Sequence, residues 1–186
     1  MKKDRSSTFS IAGWEVKTTV GDLPTMFDNY VSNAQFVEQI DLERKEKEGV
    51  FFVAIKNTLG SSHNWPSTVI AQRYSPDDYA GFSPGILLVP ETSILFIGAG
   101  TRLLAYDLAQ QEKIWNSNVH VGFWGWEQHG EIVLMLAELE LVAWSTKGEK
   151  LWSRRVEPPW TISVKGDKVS LDIMGRISKF SITSGV

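Results

Sequence analysis

The sequence predicts a mainly β protein, an antiparallel meander of about three repeat units preceded by N-terminal strands and one short helix. Two observations predict this fold class. Short runs rich in β-branched and aromatic residues alternate with turn residues along most of the 186 residues. A pattern also recurs at a fixed distance, since Tyr106 and Trp144 are 38 residues apart and Trp115 and Trp152 are 37 apart. A period of this size marks a repeated supersecondary unit.

The composition fits one globular domain, residues 1–186, and excludes several kinds of function. Apolar residues make up 42% of the chain and charged residues 22%, which is ordinary globular usage. A net charge of −3 gives no basic surface for nucleic acid or for an anionic membrane. The absence of cysteine rules out disulfides and thiolate chemistry. Without a secretory core or a long apolar window, we expect a cytoplasmic protein.

Residues 9–74 are expected to supply the N-terminal strands, and residues 1–8 to fray. The β-forming residues of 14–20 predict a strand, and the apolar spacing in 25–32 predicts a short helix. Two apolar runs separated by a charged segment that ends in Gly49 predict a hairpin. In chain order, the predicted elements are a strand at 14–20, a helix at 25–32, a hairpin of 36–42 with 50–57, and a strand at 67–74.

Residues 75–85 form the longest irregular segment, and loops of this length often bind a partner or cover a site. The repeat region follows, from 86 to 186. Each of its units is predicted to contain three successive strands, the third centred on Tyr106, Trp144 or Phe180. The turns between these strands are predicted at 90–93, 98–102, 129–130, 139–140, 165–167 and 174–175.

The first two units close on a common motif. Ala105-Tyr106-Asp107 is followed by Trp115, and Ala143-Trp144 is followed by Gly148 and Trp152. This pattern resembles the PQQ-like (quinoprotein-type) β-propeller repeats over residues 86–186. The resemblance implies that these residues lock neighbouring four-stranded blades together, which is a structural role. No quinone cofactor is expected from it.

The units also depart from that pattern. Gln111 stands where the first unit should have glycine, and Ser145 stands where the second should have aspartate. The third unit offers Lys179-Phe180-Ser181 and Gly185 but no closing tryptophan. Closed propellers need about four to eight blades, so we expect a partial, propeller-like meander. A bare sheet edge invites association, so a homo-oligomer is one further expectation.

The candidate contact residues are aromatic or histidine side chains, most of them outside the repeated motif. Aromatic groups that do not serve the core can stack on a partner. The leading hypothesis is therefore a non-enzymatic protein-interaction or ligand-binding module with an aromatic-rich surface. Its partner would be another protein or a small ligand, without nucleic acid or membrane, and without a cofactor or metal. The residues assigned to its contact surface are Trp65, Tyr79, Phe82, Trp124, Trp126 and His129.

Two other functions stay open. One is a small hydrolase or carbohydrate-active enzyme that uses paired carboxylates from Glu127, Glu138 or Glu140. The turn predicted at 139–140 would undo the pairing of the last two. The other is a structural subunit that completes a propeller by self-association. Gly98-Ala99-Gly100 leads into a strand, so it lacks the helix N-terminus that a dinucleotide site requires.

Overall fold

The computed structural model describes residues 5–43, 49–59, 64–75 and 83–186. These residues form sixteen strands and one helix, which confirms the mainly β prediction. The chain divides into two compact units by its internal contacts. We call Met1–Pro76 with Asp107–Glu112 the N-terminal unit, and Asp77–Tyr106 with Lys113–Val186 the blade unit.

The N-terminal unit is built on a five-stranded sheet with the order β1-β2-β4-β5-β3. One predicted helix is confirmed as α1 (Phe27–Asn33). Its Phe27 and Tyr30 rings lie 6.0 and 5.3 Å from the ring of Phe52, so the helix covers one face of the sheet. The strands are β1 (Arg5–Ile11), β2 (Trp14–Gly21), β3 (Phe36–Ile40), β4 (Gly49–Asn57) and β5 (Thr68–Tyr74).

The predicted hairpin of residues 36–42 with 50–57 is wrong. β4 has antiparallel neighbours on both sides, β2 and β5, so neither of its edges is open to β3. β3 instead pairs in parallel with β5, with Phe36 opposite Thr68. The N–H groups of Gln35 and Phe36 both donate to the Ser67 carbonyl, which fixes this register. Residues 44–48 of the predicted charged tip lie outside the described residues.

The prediction that residues 1–8 fray is also wrong for residues 5–8. β1 begins at Arg5 and pairs with β2 along its whole length, from Arg5 opposite Val20 to Ile11 opposite Trp14. Its side chains are all exposed, so the burial pattern of a core strand is absent from its sequence. β1 is therefore held in the sheet by its hydrogen bonds to β2, and it has no buried face.

Three polar side chains are buried in the described part of the N-terminal unit, Thr19, Thr68 and Gln72, and Gln72 is the most deeply buried. Gln72 in β5 lies between Phe51 of β4 and Ile40 of β3 and is 0% exposed. Neither of its amide atoms has a hydrogen-bond partner among the residues that the structure describes. A buried polar group without a partner lowers stability, because its hydration is lost and not replaced.

The blade unit contains three successive antiparallel sheets, each in the order of the chain. The predicted repeat is therefore confirmed, with a fourth, Trp-bearing strand in the first two blades. The described part of the third blade has three strands. Blade 1 is β6 (Gly85–Val89), β7 (Ile94–Ala99), β8 (Arg102–Asp107) and β9 (Glu112–Asn118); blade 2 is β10 (Phe123–His129), β11 (Ile132–Ala137), β12 (Glu140–Ser145) and β13 (Lys150–Arg155); blade 3 is β14 (Trp160–Lys165), β15 (Lys168–Ile173) and β16 (Arg176–Ser181).

Blade 2 is apolar on both faces. Val133 and Met135 of β11 belong to a core shared with blade 1, whereas Leu134 belongs to a core shared with blade 3. Successive side chains of a strand point to opposite faces, so a continuous apolar run serves two interfaces at once. Gly98 of blade 1 allows the first interface to close, because a Cβ atom there would lie 2.5 Å from the Phe123 ring. Gly98 therefore has a packing role.

Trp115 and Trp152 lock the blades, as the resemblance implies. The Trp115 ring stacks on Trp144 of blade 2 with a centroid distance of 4.3 Å, and its Nε1 donates to the Gly148 carbonyl at 2.7 Å. The Trp152 ring meets Phe180 of blade 3 edge-on at 5.6 Å, and its Nε1 donates to the Ile182 carbonyl at 2.7 Å. Each tryptophan thus joins an aromatic contact and a hydrogen bond across one interface.

The turn after each third strand keeps its geometry despite the substitutions in the motif. Asp107 accepts hydrogen bonds of 2.8 and 2.9 Å from two N–H groups of the following turn. Ser145 accepts two longer ones of 3.2 Å from its own turn, so serine replaces aspartate with weaker bonds. Gln111, Gly148 and Gly185 all have a left-handed φ, of 56°, 85° and 73°. The turn conformation is therefore conserved where the glycine is not.

Gly185→Ala should destabilise the protein strongly. A Cβ atom at Gly185 would lie 2.7 Å from Cγ of Trp152, at a φ of 73°. Left-handed strain and overpacking together predict a loss of about 2–4 kcal/mol in the free energy of unfolding, measured by urea denaturation. Gly175→Ala is the matched control, because Gly175 has a φ of 83° but nothing within 4 Å of the added Cβ. Equal losses for both variants would contradict the proposed contact with Trp152.

Gln72→Met should stabilise the protein. The substitution keeps the length of a fully buried side chain and removes two amide atoms without partners. We expect the free energy of unfolding to rise by about 1–2 kcal/mol in urea denaturation. Gln72→Glu is the opposite control, since it buries a charge at the same place. A lower stability for Gln72→Met would show that the amide is hydrogen-bonded in solution.

Candidate functional site

The candidate site lies at the end of blades 2 and 3 where β10, β12 and β14 begin. In an antiparallel meander the starts of alternate strands share one end of the sheet. The turn between Ala137 and Glu140 and the connection between blades 1 and 2 meet at this end, since Glu138 N donates to Gly122 O at 3.0 Å. Trp160 Nε1 donates to the Glu138 carbonyl at 3.0 Å, which ties blade 3 to the same turn.

Trp124 is presented at this end by a β-bulge. Phe123 pairs with Ala137 and Gly125 pairs with Leu136, so Trp124 has no residue opposite it in β11. Bulges re-aim side chains, and here Phe123 and Trp126 both pack toward blade 1 although they are three residues apart. Trp124 turns toward blade 3, where its ring stacks on Trp160 with a centroid distance of 5.0 Å and an interplanar angle of 16°. It remains 38% exposed.

His120 and Glu140 add a polar pair to the same end. His120 lies in the connection before β10, and its Nδ1 contacts the Oε1 atom of Glu140 at the start of β12. The imidazole is 84% exposed and the carboxylate 21%. The two residues are 20 apart in sequence, so no local spacing in the chain predicts that they meet. This pair and the Trp124–Trp160 stack make the surface both aromatic and charged.

Of the other predicted contact residues, Trp126 and His129 lie in the same strand as Trp124, and Trp65 lies in the other unit. Trp126 is partly buried against Phe96 and Phe123, with ring centroids 5.3 and 5.4 Å away, and its Nε1 atom is buried. His129 lies at the far end of β10 from Trp124, five residues or about 17 Å along the strand. Trp65 belongs to the N-terminal unit, where it meets Tyr30 edge-on at 5.6 Å. Tyr79 and Phe82 lie outside the described residues.

The three candidate carboxylates are likewise divided between the two ends of blade 2. Glu127 shares a face with His129 as predicted, and the two side chains are hydrogen-bonded at 3.1 Å. It lies four residues, or about 13 Å, along β10 from Phe123, which is beside the turn that carries Glu138 and Glu140. Glycosidase carboxylates stand about 5–10 Å apart.

Two further features concern the described residues alone. Within residues 5–43, 49–59, 64–75 and 83–186, no three His, Asp or Glu side chains are grouped as metal ligands would be. In the same ranges, no helix is long and apolar enough to cross a membrane.

The chain is similar in structure to known β-propeller proteins. The β-propeller domain of the Trilobed protease from Pyrococcus furiosus, which has an open velcro topology, matches with a TM-score of 0.50 and 9% identity over 96% of this chain and 53% of that chain. BamB from Moraxella catarrhalis matches with a TM-score of 0.45 and 13% identity, over 97% of this chain and 58% of that chain. Kuenenia stuttgartiensis hydrazine synthase matches with a TM-score of 0.45 and 14% identity, over 81% of this chain and 46% of that chain.

The chain therefore spans about half the length of the structures it matches. At 9% identity the first likeness shows the fold alone, and that fold is β-propeller-like, as the repeat predicted. No protein-family model matches the sequence, and no curated protein matches it significantly.

The variants His120→Ala and Trp160→Phe should differ in stability, because His120 belongs to the exposed part of the site and Trp160 supports it from within the fold. An exposed ion pair contributes at most about 1 kcal/mol, so His120→Ala should leave the melting temperature within about 3 °C of the wild type. Trp160 is 6% exposed and donates to the Glu138 carbonyl, so Trp160→Phe should lower stability by about 2 kcal/mol. Thermal denaturation followed by circular dichroism measures both. A larger loss for His120→Ala would show that the pair supports the fold.

Proposed function

We propose that the protein is a non-enzymatic protein-interaction module with Trp124 at the centre of its contact surface. The observation that carries this proposal is the bulge that turns the Trp124 indole out of the regular pairing of β10 and leaves it 38% exposed. All the repeated tryptophans make contacts between blades, but Trp115, Trp144, Trp152 and Trp160 are buried or partly buried, whereas Trp124 is exposed. Tryptophan is enriched among the residues that dominate binding energy at protein interfaces.

The stack with Trp160 supports this role. The two indoles are nearly parallel at 16°, and Trp160 is itself fixed by its hydrogen bond to the Glu138 carbonyl. A side chain held in one orientation before binding loses little conformational entropy when a partner covers it. Trp124 is therefore an ordered anchor for a partner.

The polar groups around this stack favour a protein partner. His120 and Glu140 supply a donor and an acceptor beside the aromatic centre, and protein interfaces commonly place such polar groups around an apolar core. Trp65, Tyr79, Phe82, Trp126 and His129 stay predictions as further contact residues. The hydrolase alternative gains no support, because Glu127 lies at the opposite end of β10 from the turn that carries the other two carboxylates.

We also place this module in the cytoplasm. The absence of cysteine supports this, since the fold needs no oxidising compartment. Cell fractionation with an antibody against the protein tests it, and recovery from an extracytoplasmic fraction would refute it.

The test compares Trp124→Ala with Phe9→Ala in affinity capture from native lysate, followed by titration of the captured protein. Phe9 in β1 is a matched control, because it is an aromatic residue with 41% exposure against 38% for Trp124. We expect Trp124→Ala to weaken the Kd for the specific partner by about tenfold or more, as loss of a central anchor does. Phe9→Ala should bind like the wild type.

Two outcomes would contradict the proposal. One is a Trp124→Ala variant that folds and binds with wild-type affinity. The other is an equal loss in both variants, which would show that any exposed aromatic residue suffices. Capture of a small molecule instead of a protein would show that this surface binds a ligand, which is the alternative function.

A further inference from the structure

The second surface of interest is the face of blade 3 that points away from blade 2, here called the far face. In β14, Trp160, Ile162 and Val164 pack toward blade 2. The alternate residues of that strand are threonine, serine and lysine, and all three are exposed. The far-face positions of β15 and β16 are polar as well, with Ile177 as the exception.

This polarity distinguishes blade 3 from blade 2. Blade 2 presents apolar side chains on both faces and is covered on both. A further blade packed on the far face of blade 3 would have to bury lysine and serine side chains without partners, which is unfavourable. Terminal units of repeat proteins carry a polar outer face for this reason. The far face is therefore a surface, and neither a fourth blade nor a second copy would pack there as blades 1 and 2 do.

Three lysines are grouped on the far face. Lys165 and Lys168 are directly opposite each other across the hairpin of β14 and β15. Lys168 pairs with Ser181 of β16, and Lys179 lies two residues from Ser181 on the same face. Directly opposite residues are about 5 Å apart at Cβ and diagonal ones about 7–8 Å, so Lys168 has a lysine at a neighbouring position on each side.

The three lysines have two acidic residues near them in the described part of the chain, Asp167 in the turn between Lys165 and Lys168, and Asp172. None of the three makes an ion pair there, and all are exposed. The acid on the same face, Asp172, accepts a hydrogen bond of 2.7 Å from Gly175 N and lies beyond Ser170 from Lys168. Like charges directly opposite each other in a sheet are destabilising.

We propose that the far face binds an acidic protein segment, whose clustered carboxylates neutralise Lys165, Lys168 and Lys179. The charge of blade 3 supports this, since residues 160–181 carry four basic and two acidic residues in a chain whose net charge is −3. Nucleic acid is a poorer match, because three neighbouring lysines cover few phosphates and the rest of the chain is acidic. This surface is separate from the Trp124 surface, so either can fail alone.

The experiment measures binding of a fluorescent 15-residue poly-glutamate peptide to the full chain by anisotropy at low salt. The double variant Lys165→Gln/Lys168→Gln should weaken binding by about fivefold or more, because charge pairing supplies the affinity. The control Lys56→Gln/Lys147→Gln removes the same charge from β4 and from the turn after β12 and should change binding less than about twofold. Lys179→Gln should weaken binding in the same direction as the test variant.

A stability measurement separates function from structure. Because Lys165 and Lys168 repel each other, the double variant should melt at the same or a slightly higher temperature while it loses binding. Equal weakening in the test and control variants would overturn the proposal, since net charge alone would then explain binding. Absence of poly-glutamate binding would overturn it as well. Tighter binding of a 20-base-pair DNA duplex or of phosphatidylserine vesicles would assign the face to that partner instead.

Discussion

The hydrogen bond from a blade's closing tryptophan to a carbonyl of the next blade is the contact on which the blade unit depends. Trp115 and Trp152 each combine this bond with an aromatic contact, and each bond is 2.7 Å long. An indole N–H buried at an interface needs an acceptor, and the turn carbonyl of the neighbouring blade supplies it. The turn must therefore keep one conformation. The capping serine and the glycine with a left-handed φ keep the turn carbonyl in the position where the tryptophan of the preceding blade can donate to it.

The candidate site arises where this regularity is broken. In β10, a bulge places Phe123 and Trp126 on the same side and turns Trp124 to the other side. The equivalent residue of blade 3, Trp160, pairs regularly with Ile173 and is buried. The proposed contact residue and the residue that supports it thus look equivalent in the sequence.

Much of the blade unit could be predicted, because its turns and its 37-residue period are local features of the sequence. The strand pairing of the N-terminal unit was harder to predict. The partner of β3 is chosen by which edges β2 and β5 leave open, and no property of residues 36–42 reports that. At the candidate site, Trp124 could be proposed from the sequence because it is aromatic, but the His120–Glu140 contact depends on two connections meeting at one end of a sheet. The one local signal for the bulge is the three-residue spacing of Phe123 and Trp126, which does not fit a period of two.

The two apolar faces of blade 2 have a consequence for cooperativity. A unit buried on both sides is stabilised by two neighbour couplings, whereas blade 3 has its apolar core on one side. In a linear array of units, the free energies of the interfaces between neighbours determine which units unfold together. Blade 3 can separate by breaking a single interface, which contains the core shared with blade 2, the contacts of Trp152 and those of Trp160. Blade 2 cannot open without losing both, so it couples the array into one folding unit.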